Sequence, residues 1–210
     1  LFEQLEGRAA GTPLAQQAQL EKAYAHYRNA EPAQAQATID RFMKLHPASP
    51  AIDYALYLKG IINFNDDLGM FSFLTRQDLS ERDQKAAKES FEAFKELASR
   101  FPSSRYTPDA RLRMNYIVNS LAQYEVHVAR YYYQRGAYLA AVNRAQIALA
   151  DYRDVPALEE ALYIMVKSYE ALGMAQLQED AKRVLETNYP NSRYVARGFK
   201  RDDEPWWKVW

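Results

Sequence analysis

Helix-stopping prolines recur along this chain at a near-fixed interval. Pro13 and Pro47 lie 34 residues apart, and so do Pro156 and Pro190. Pro47 to Pro102 spans 55 residues and Pro102 to Pro156 spans 54. Each longer interval is one 34-residue unit with extra chain inserted. A residue before proline is pushed out of the helical region, so His46, Phe101 and Tyr189 each mark a helix end. Between the stops, apolar residues recur at helical spacing, as in Ala35, Ile39, Phe42 and Leu45, or Phe91, Phe94 and Leu97. The stretch Tyr131–Tyr152 reads as the end of one helix, a turn at Gly136 and a second helix running back. Neither helix of such a hairpin can bury its apolar face alone, so the unit needs neighbours.

A helix–turn–helix period of 34 residues is that of the tetratricopeptide repeat. Its steric requirements are small residues where the two helices cross, and glycine at the turn. The hairpin around Gly136 supplies Ala129 and Ala141 at the small sites and Tyr138 at the start of its second helix. The first hairpin supplies Ala23, Ala30, Pro32 and Ala35, and in the second Gly60 takes the first small site. The last keeps Gly173 at the turn but has Val166 and Gln178 where small residues are expected. The expected fold is all-α, an α-solenoid of about five tetratricopeptide-type hairpins with an insertion in the second. The rival is an irregular helical bundle.

The expected layout follows the stops. Residues 1–13 are a lead-in, 14–102 the N-terminal repeats, 103–190 the C-terminal repeats and 191–210 a tail. Residues 66–84 break the periodicity and read as an insertion with an apolar tip at Met70-Phe71-Ser72-Phe73-Leu74. From Asp109 to Arg135 no breaker appears, which allows one long helix or two meeting near Asn119-Ser120. Thr107 is the expected N-cap of that stretch, with Pro108 at its first position. The tail holds all three tryptophans, in Pro205-Trp206-Trp207-Lys208-Val209-Trp210.

Composition narrows the function. Lys+Arg and Asp+Glu both number 27, so no bulk basic field exists for nucleic acid or anionic lipid. Charges interrupt every apolar run before the roughly 20 residues a membrane-spanning helix needs. With no cysteine, disulfides, thiolate metal sites and thiol catalysis are excluded. His26, His46 and His127 lie on separate elements at no metal-binding spacing, and no glycine-rich phosphate loop or G-x-S-x-G elbow is present. The expectation is a protein that is not an enzyme, with no catalytic residues, metal or cofactor. The chain starts at Leu1 without Met and reads as a mature or trimmed piece, from which a leader or lipid-bearing residue could have been removed.

What remains is binding. In a solenoid of hairpins the first helices line one surface, which suits peptides. In the first two repeats the inward positions include Gln17, Leu20, Tyr24, Tyr27, Tyr54, Tyr57, Ile61 and Phe64. The aromatic ones, Tyr24, Tyr27, Tyr54, Tyr57 and Phe64, form the expected substrate-peptide groove. Equivalent positions further on are more polar: Arg130, Tyr133, Glu160, Tyr163, Lys167 and Glu170. Of these, Arg130, Tyr133, Tyr163, Lys167 and Glu170 are the expected docking surface for a folded partner, with charge setting register.

Five stretches carry a closer resemblance: FMKLHPASP, IDYALYLKGIINFN, the FSFL-containing insertion, KESFEAFKELASRFPSSRYTPDARLRM and YEVHVARYYYQRGAYLAAVNRAQ. Together they resemble the BamD family, the tetratricopeptide-repeat lipoproteins of the outer-membrane β-barrel assembly (BAM) complex of Gram-negative bacteria. The resemblance covers Leu14 to Tyr194, and is most specific from Ser103 to Ala145. It implies five repeats and a location on the periplasmic face of the outer membrane. The anchor would be a lipidated N-terminal cysteine that is not in this sequence. It also implies docking of the periplasmic (POTRA) domain of BamA on the C-terminal repeats, and a BamC-type lipoprotein along the surface. The N-terminal groove would receive the apolar, aromatic-ended C-terminal signals of unfolded β-barrel proteins. The open alternative is a generic periplasmic tetratricopeptide peptide-binding protein, a co-chaperone or a cell-wall-associated protein.

Overall fold

A computed structural model of the chain describes residues 2–9, 11–64 and 81–199. Every regular element among them is helical: α1 (Phe2–Arg8), α2 (Pro13–Arg28), α3 (Pro32–Leu45), α4 (Ile52–Asn63), α5 (Glu81–Arg100), α6 (Thr107–Gln134), α7 (Tyr138–Asp151), α8 (Ala157–Ala171), α9 (Ala175–Asn188) and α10 (Arg193–Arg197). The all-α class and the hairpin repeat therefore stand. Two compact units, residues 1–117 and 118–210, divide inside α6. In the first, α1 packs on α2, α2 on α3, α3 on α4 and α4 on α5. In the second, α8 packs on α7, α9 and α10.

Two local readings, the lead-in and the cap at Thr107, differ from the sequence expectation, and one open alternative is decided. The lead-in carries a helix, α1, held against α2. The run after Asp109 is a single helix with no break at Asn119-Ser120. Thr107 does not cap it. Its hydroxyl instead donates to the Phe101 carbonyl at 2.7 Å and is buried, while Tyr106 supplies the first helical carbonyl, accepting from Ala110 N–H at 3.0 Å. Residues 66–80 of the expected insertion, its apolar tip and the tryptophan tail lie outside the described residues, and residues 81–84 belong to α5.

The hairpin turns repeat one bonding pattern. Glu31 N–H donates back to the His26 carbonyl, Ala137 N–H to Tyr132 and Met174 N–H to Tyr169, at 2.9, 3.0 and 3.0 Å. Each six-to-one bond closes a helix C-terminus around a left-handed residue. That residue is Gly136 or Gly173 in two hairpins and Ala30, at φ 58°, in the first. Ala30 accepts the conformation at the cost of strain that glycine would avoid.

Small residues then let the helices meet. Ala23 and Ala35 are fully buried in the first hairpin, and Ala129 and Ala141 in the third. Gly60 shows why. A Cβ there would stand 2.3 Å from Phe94 Cε1, inside the α4–α5 contact. Ser90 Oγ on α5 also donates to the Gly60 carbonyl at 2.8 Å, fixing the approach.

A second repeated device joins one hairpin to the next. The stops His46-Pro47-Ala48-Ser49, Phe101-Pro102-Ser103-Ser104 and Tyr189-Pro190-Asn191-Ser192 share a proline and a serine in the same register. Ser49 Oγ donates to Gln16 Oε1 at 2.8 Å, and Ser104 Oγ to Asp53 Oδ2 at 2.7 Å. In the last unit the N–H of Arg193, beside Ser192, donates to Glu159 Oε1 at 3.0 Å. Gln16, Asp53 and Glu159 all sit near the start of a first helix. Each connection is thereby tied back to the hairpin it has just left.

Gly60 gives the test of the packing account. Helix propensity alone favours alanine there by about 1 kcal/mol. Overpacking a filled core costs about 1–3 kcal/mol. Phe94 cannot withdraw, because it is fully buried with the Tyr57 and Phe64 rings 6.1 and 6.3 Å away. Gly60→Ala is therefore expected to lose stability in urea unfolding, by up to about 2 kcal/mol. Adding Phe94→Leu should return part of that loss; a stability equal to or above wild type in Gly60→Ala would refute the steric reading.

Candidate functional site

Two aromatic clusters stand on first-helix faces, one in each unit. In the N-terminal unit, α2 brings Tyr24 and Tyr27 together with ring centroids 6.3 Å apart. Arg28 Nη1 donates to Tyr24 Oη at 3.0 Å, from the next turn of the same helix. On α4, Tyr54 and Tyr57 both meet Tyr106, at 5.4 and 4.8 Å, the second pair stacked. Phe64, just past α4, meets Phe94 and Tyr116, and the Arg113 guanidinium lies 4.6 Å over its ring.

The five expected groove residues thus fall into different settings. Tyr24 is exposed, and Tyr27 and Tyr54 are half-buried. Tyr54 lines a cleft of about 520 Å³ with Gln17, Leu20, Asp53, Arg105 and Tyr106 among its walls. Tyr57 and Phe64 are taken up in packing among Phe94, Tyr106 and Tyr116. Tyr57 Oη also donates to Asp109 Oδ2 at 2.8 Å, an oxygen that accepts from Arg113 Nε at 2.7 Å. Burial opposes the charge on Asp109, but the bonds from Arg113 and Tyr57 outweigh it and hold the carboxyl below its ordinary value. Burial, then the bond to Asp109, raises the Tyr57 phenol.

The cleft gains two residues that helical periodicity does not mark, Arg105 and Tyr106, in the connection after Pro102. The Arg105 guanidinium lies 4.7 Å over the Tyr106 ring and remains exposed. The cleft can offer an aromatic wall, an exposed cation and two carboxylates, Glu21 and Asp53. Among the described residues no group of acidic, histidine or cysteine side chains could hold a metal ion.

The C-terminal unit repeats part of this arrangement. Ser192-Arg193-Tyr194 copies Ser104-Arg105-Tyr106. Arg193 lies 4.8 Å over Tyr194, and Tyr194 stacks on Tyr163 of α8 at 5.7 Å, as Tyr106 stacks on Tyr57. Tyr57 and Tyr163 both stand four residues after the acid that receives the connection, Asp53 or Glu159.

The five expected docking residues are placed as follows. Arg130 on α6 makes a two-pronged ion pair with the buried Glu160, which also accepts from Tyr194 Oη at 2.7 Å. Removing Arg130 would strand a buried carboxylate, a change worth several kcal/mol, so this arginine is structural first. Tyr133 and Tyr163 both face Phe199, at 5.0 and 4.8 Å. Lys167 pairs with the exposed Glu170 on the same face of α8. The chain's own residues 193–199 therefore cover part of the face expected to dock a partner.

A family model described as an outer membrane lipoprotein, YfiO, matches residues 1–185. The outer membrane protein assembly factor BamD of Neisseria meningitidis serogroup A is 47% identical over 210 residues, covering 100% of this chain and 79% of the relative. Its namesake in Neisseria gonorrhoeae is 46% identical over the same 210 residues, with the same coverage. The one in Vibrio cholerae serotype O1 is 34% identical over 187 residues, covering 89% of this chain and 78% of the relative. No helix among the described residues is long and apolar enough to cross a membrane.

Burial, then the charge of Glu21, pushes the Tyr54 phenol up to about 12. Burial, then Glu125, does the same for Tyr152. An unfolded phenol ionises near its ordinary value of 10.0, while the folded one keeps its proton. The unfolded chain then binds fewer protons, so stability falls as pH rises from 10 towards 12. Urea midpoints measured from pH ~9 to ~11.5 should fall, and fall less in Tyr54→Phe than in wild type. Equal slopes would contradict the burial of Tyr54.

Proposed function

The chain belongs to the YfiO (BamD) family of outer membrane lipoproteins, and from that premise we propose that it is a non-enzymatic scaffold of outer-membrane protein assembly. It sits on the periplasmic face of the outer membrane through an N-terminal lipid. Its N-terminal unit recognises unfolded β-barrel proteins by their apolar, aromatic-ended C-termini. Its C-terminal unit docks the POTRA domain of a BamA-type barrel subunit, and a BamC-type lipoprotein lies along its surface.

The cleft beside Tyr54 is the observation that carries the substrate reading. Its volume of about 520 Å³ suits one or two large side chains. An aromatic end residue can stack on Tyr54 and Tyr106, because offset ring pairs are favourable beyond the area they bury. The terminal carboxylate then faces Arg105, whose guanidinium keeps donors beyond the one it gives Tyr106 Oη. Gln17 and Leu20 extend the same wall along α2 towards the exposed Tyr24. Tyr57 supports this wall by stacking on Tyr106. For the docking surface, the side chains left available are Lys167, Glu170 and the edges of Tyr133 and Tyr163, with Arg130 holding the face in shape.

A labelled decapeptide ending in phenylalanine tests the reading. A central aromatic truncated to alanine typically costs about 2 kcal/mol, or about 30-fold in affinity. Tyr54→Ala should weaken peptide binding by that amount and leave the affinity for a BamA periplasmic fragment unchanged. Loss of both together, or of neither, would count against the cleft as the substrate site.

A further inference from the structure

Residues 193–199 begin as a further repeat and stop short. Ser192-Arg193-Tyr194 sits on α8 as Ser104-Arg105-Tyr106 sits on α4, and in the N-terminal unit that connection leads into the 28-residue α6. Here it leads into α10, which ends after five residues. Gly198 then turns the chain at φ 69° and ψ −153°, a backbone that L side chains rarely adopt. A Cβ on Gly198 would stand 3.3 Å from Tyr163 Oη, a contact tight enough that the tyrosine would have to give by a few tenths of an ångström. The next residue, Phe199, drops between Tyr133 and Tyr163.

Two separate fastenings are at work. α10 is held by Tyr194 Oη on Glu160, by Arg193 N–H on Glu159, and by the stacking of Tyr194 on Tyr163. Among the described residues Phe199 is held by apolar packing, with its ring against Tyr133 and Tyr163 beyond the glycine, and stays half-exposed. Phe199 can therefore leave the slot while α10 keeps its buried network.

We propose that the slot between Tyr133 and Tyr163 is a docking site for an aromatic side chain of the partner domain, and that Phe199 occupies it in the free chain as an internal competitor. Tyrosine rings on both sides accept another ring edge-on or offset, which is how Phe199 sits, tilted at 40° to Tyr133 and edge-on at 71° to Tyr163. The Lys167–Glu170 pair at its edge presents one charge of each sign, so it fixes orientation and does not select a net charge. Partner docking exchanges one aromatic for another. The apparent affinity is the intrinsic one multiplied by the fraction of chains in which the slot is empty. This rests on the reading that the face shared by α6 and α8 takes the BamA-type periplasmic domain.

The test uses the full chain and a purified BamA periplasmic fragment, titrated calorimetrically. Phe199→Ala should tighten binding by about tenfold, since an internal competitor is removed. Tyr163→Ala should weaken it by a similar factor. If Tyr163→Ala weakens binding but Phe199→Ala leaves it unchanged or weaker, the docking face stands and the competitor is overturned. If neither substitution changes affinity, the docking face itself is overturned. Hydrogen exchange on the unaltered chain gives a readout independent of variant folding. Saturating partner should speed exchange at Gly198 and Phe199 while Ala196, whose N–H donates to Ser192 at 3.2 Å, stays protected. Slower or unchanged exchange at Gly198 and Phe199 would overturn the exchange mechanism.

Discussion

Helices in this protein meet at residues with little or no side chain, and much else depends on that closeness. Gly60 against Phe94 is the tightest instance, where a single methyl group would overlap the ring. The fully buried alanines at positions 23, 35, 129 and 141 play the same part in other hairpins. Once two helices approach this closely, their large side chains must point elsewhere. In the N-terminal unit they gather on the first-helix face, where Tyr54, Tyr57 and Phe64 meet Tyr106 and Tyr116. The aromatic face is thus a consequence of how the hairpin closes.

The two units use one module to different ends. In both, a serine-arginine-tyrosine connection ties back to an acid at the start of a first helix, and its tyrosine stacks on a tyrosine one turn further along that helix. In the N-terminal unit Arg105 and Tyr106 become walls of an open cleft. In the C-terminal unit Arg193 and Tyr194 join a buried network with Glu160 and Arg130, and Phe199 fills the face beyond. The same geometry is open in one unit and filled in the other.

Much of the fold is legible in the sequence because its signals are local. Proline stops, turn residues and small crossing residues each act within a few positions of where they sit. Ala30 is a case in point: its place in the repeat predicts a turn, and the backbone there is left-handed. The two aromatic faces are less legible because they depend on contacts across repeats. The Arg130–Glu160 pair joins residues 30 apart, and Tyr57 meets Asp109 across 52. Periodicity places Tyr57 and Phe64 on the right face but cannot say that Tyr106 and Phe94 will cover them. The repeated Ser-Arg-Tyr is visible in the sequence, yet without the fold it reads as turn punctuation. Helix α1 went unmarked for a different reason: Gly7 and Gly11 lower helical propensity, and packing on α2 overrides it.

The proposed division of labour between the units has one direct test. A photoreactive phenylalanine analogue is placed at position 54 in one chain and at position 163 in another, in cells making an outer membrane β-barrel protein. Cross-linking at position 54 is predicted to capture the unfolded barrel protein near its C-terminus, and at position 163 to capture the BamA-type periplasmic domain. Capture of the barrel protein at position 163 and not at 54 would contradict the assignment of the two faces.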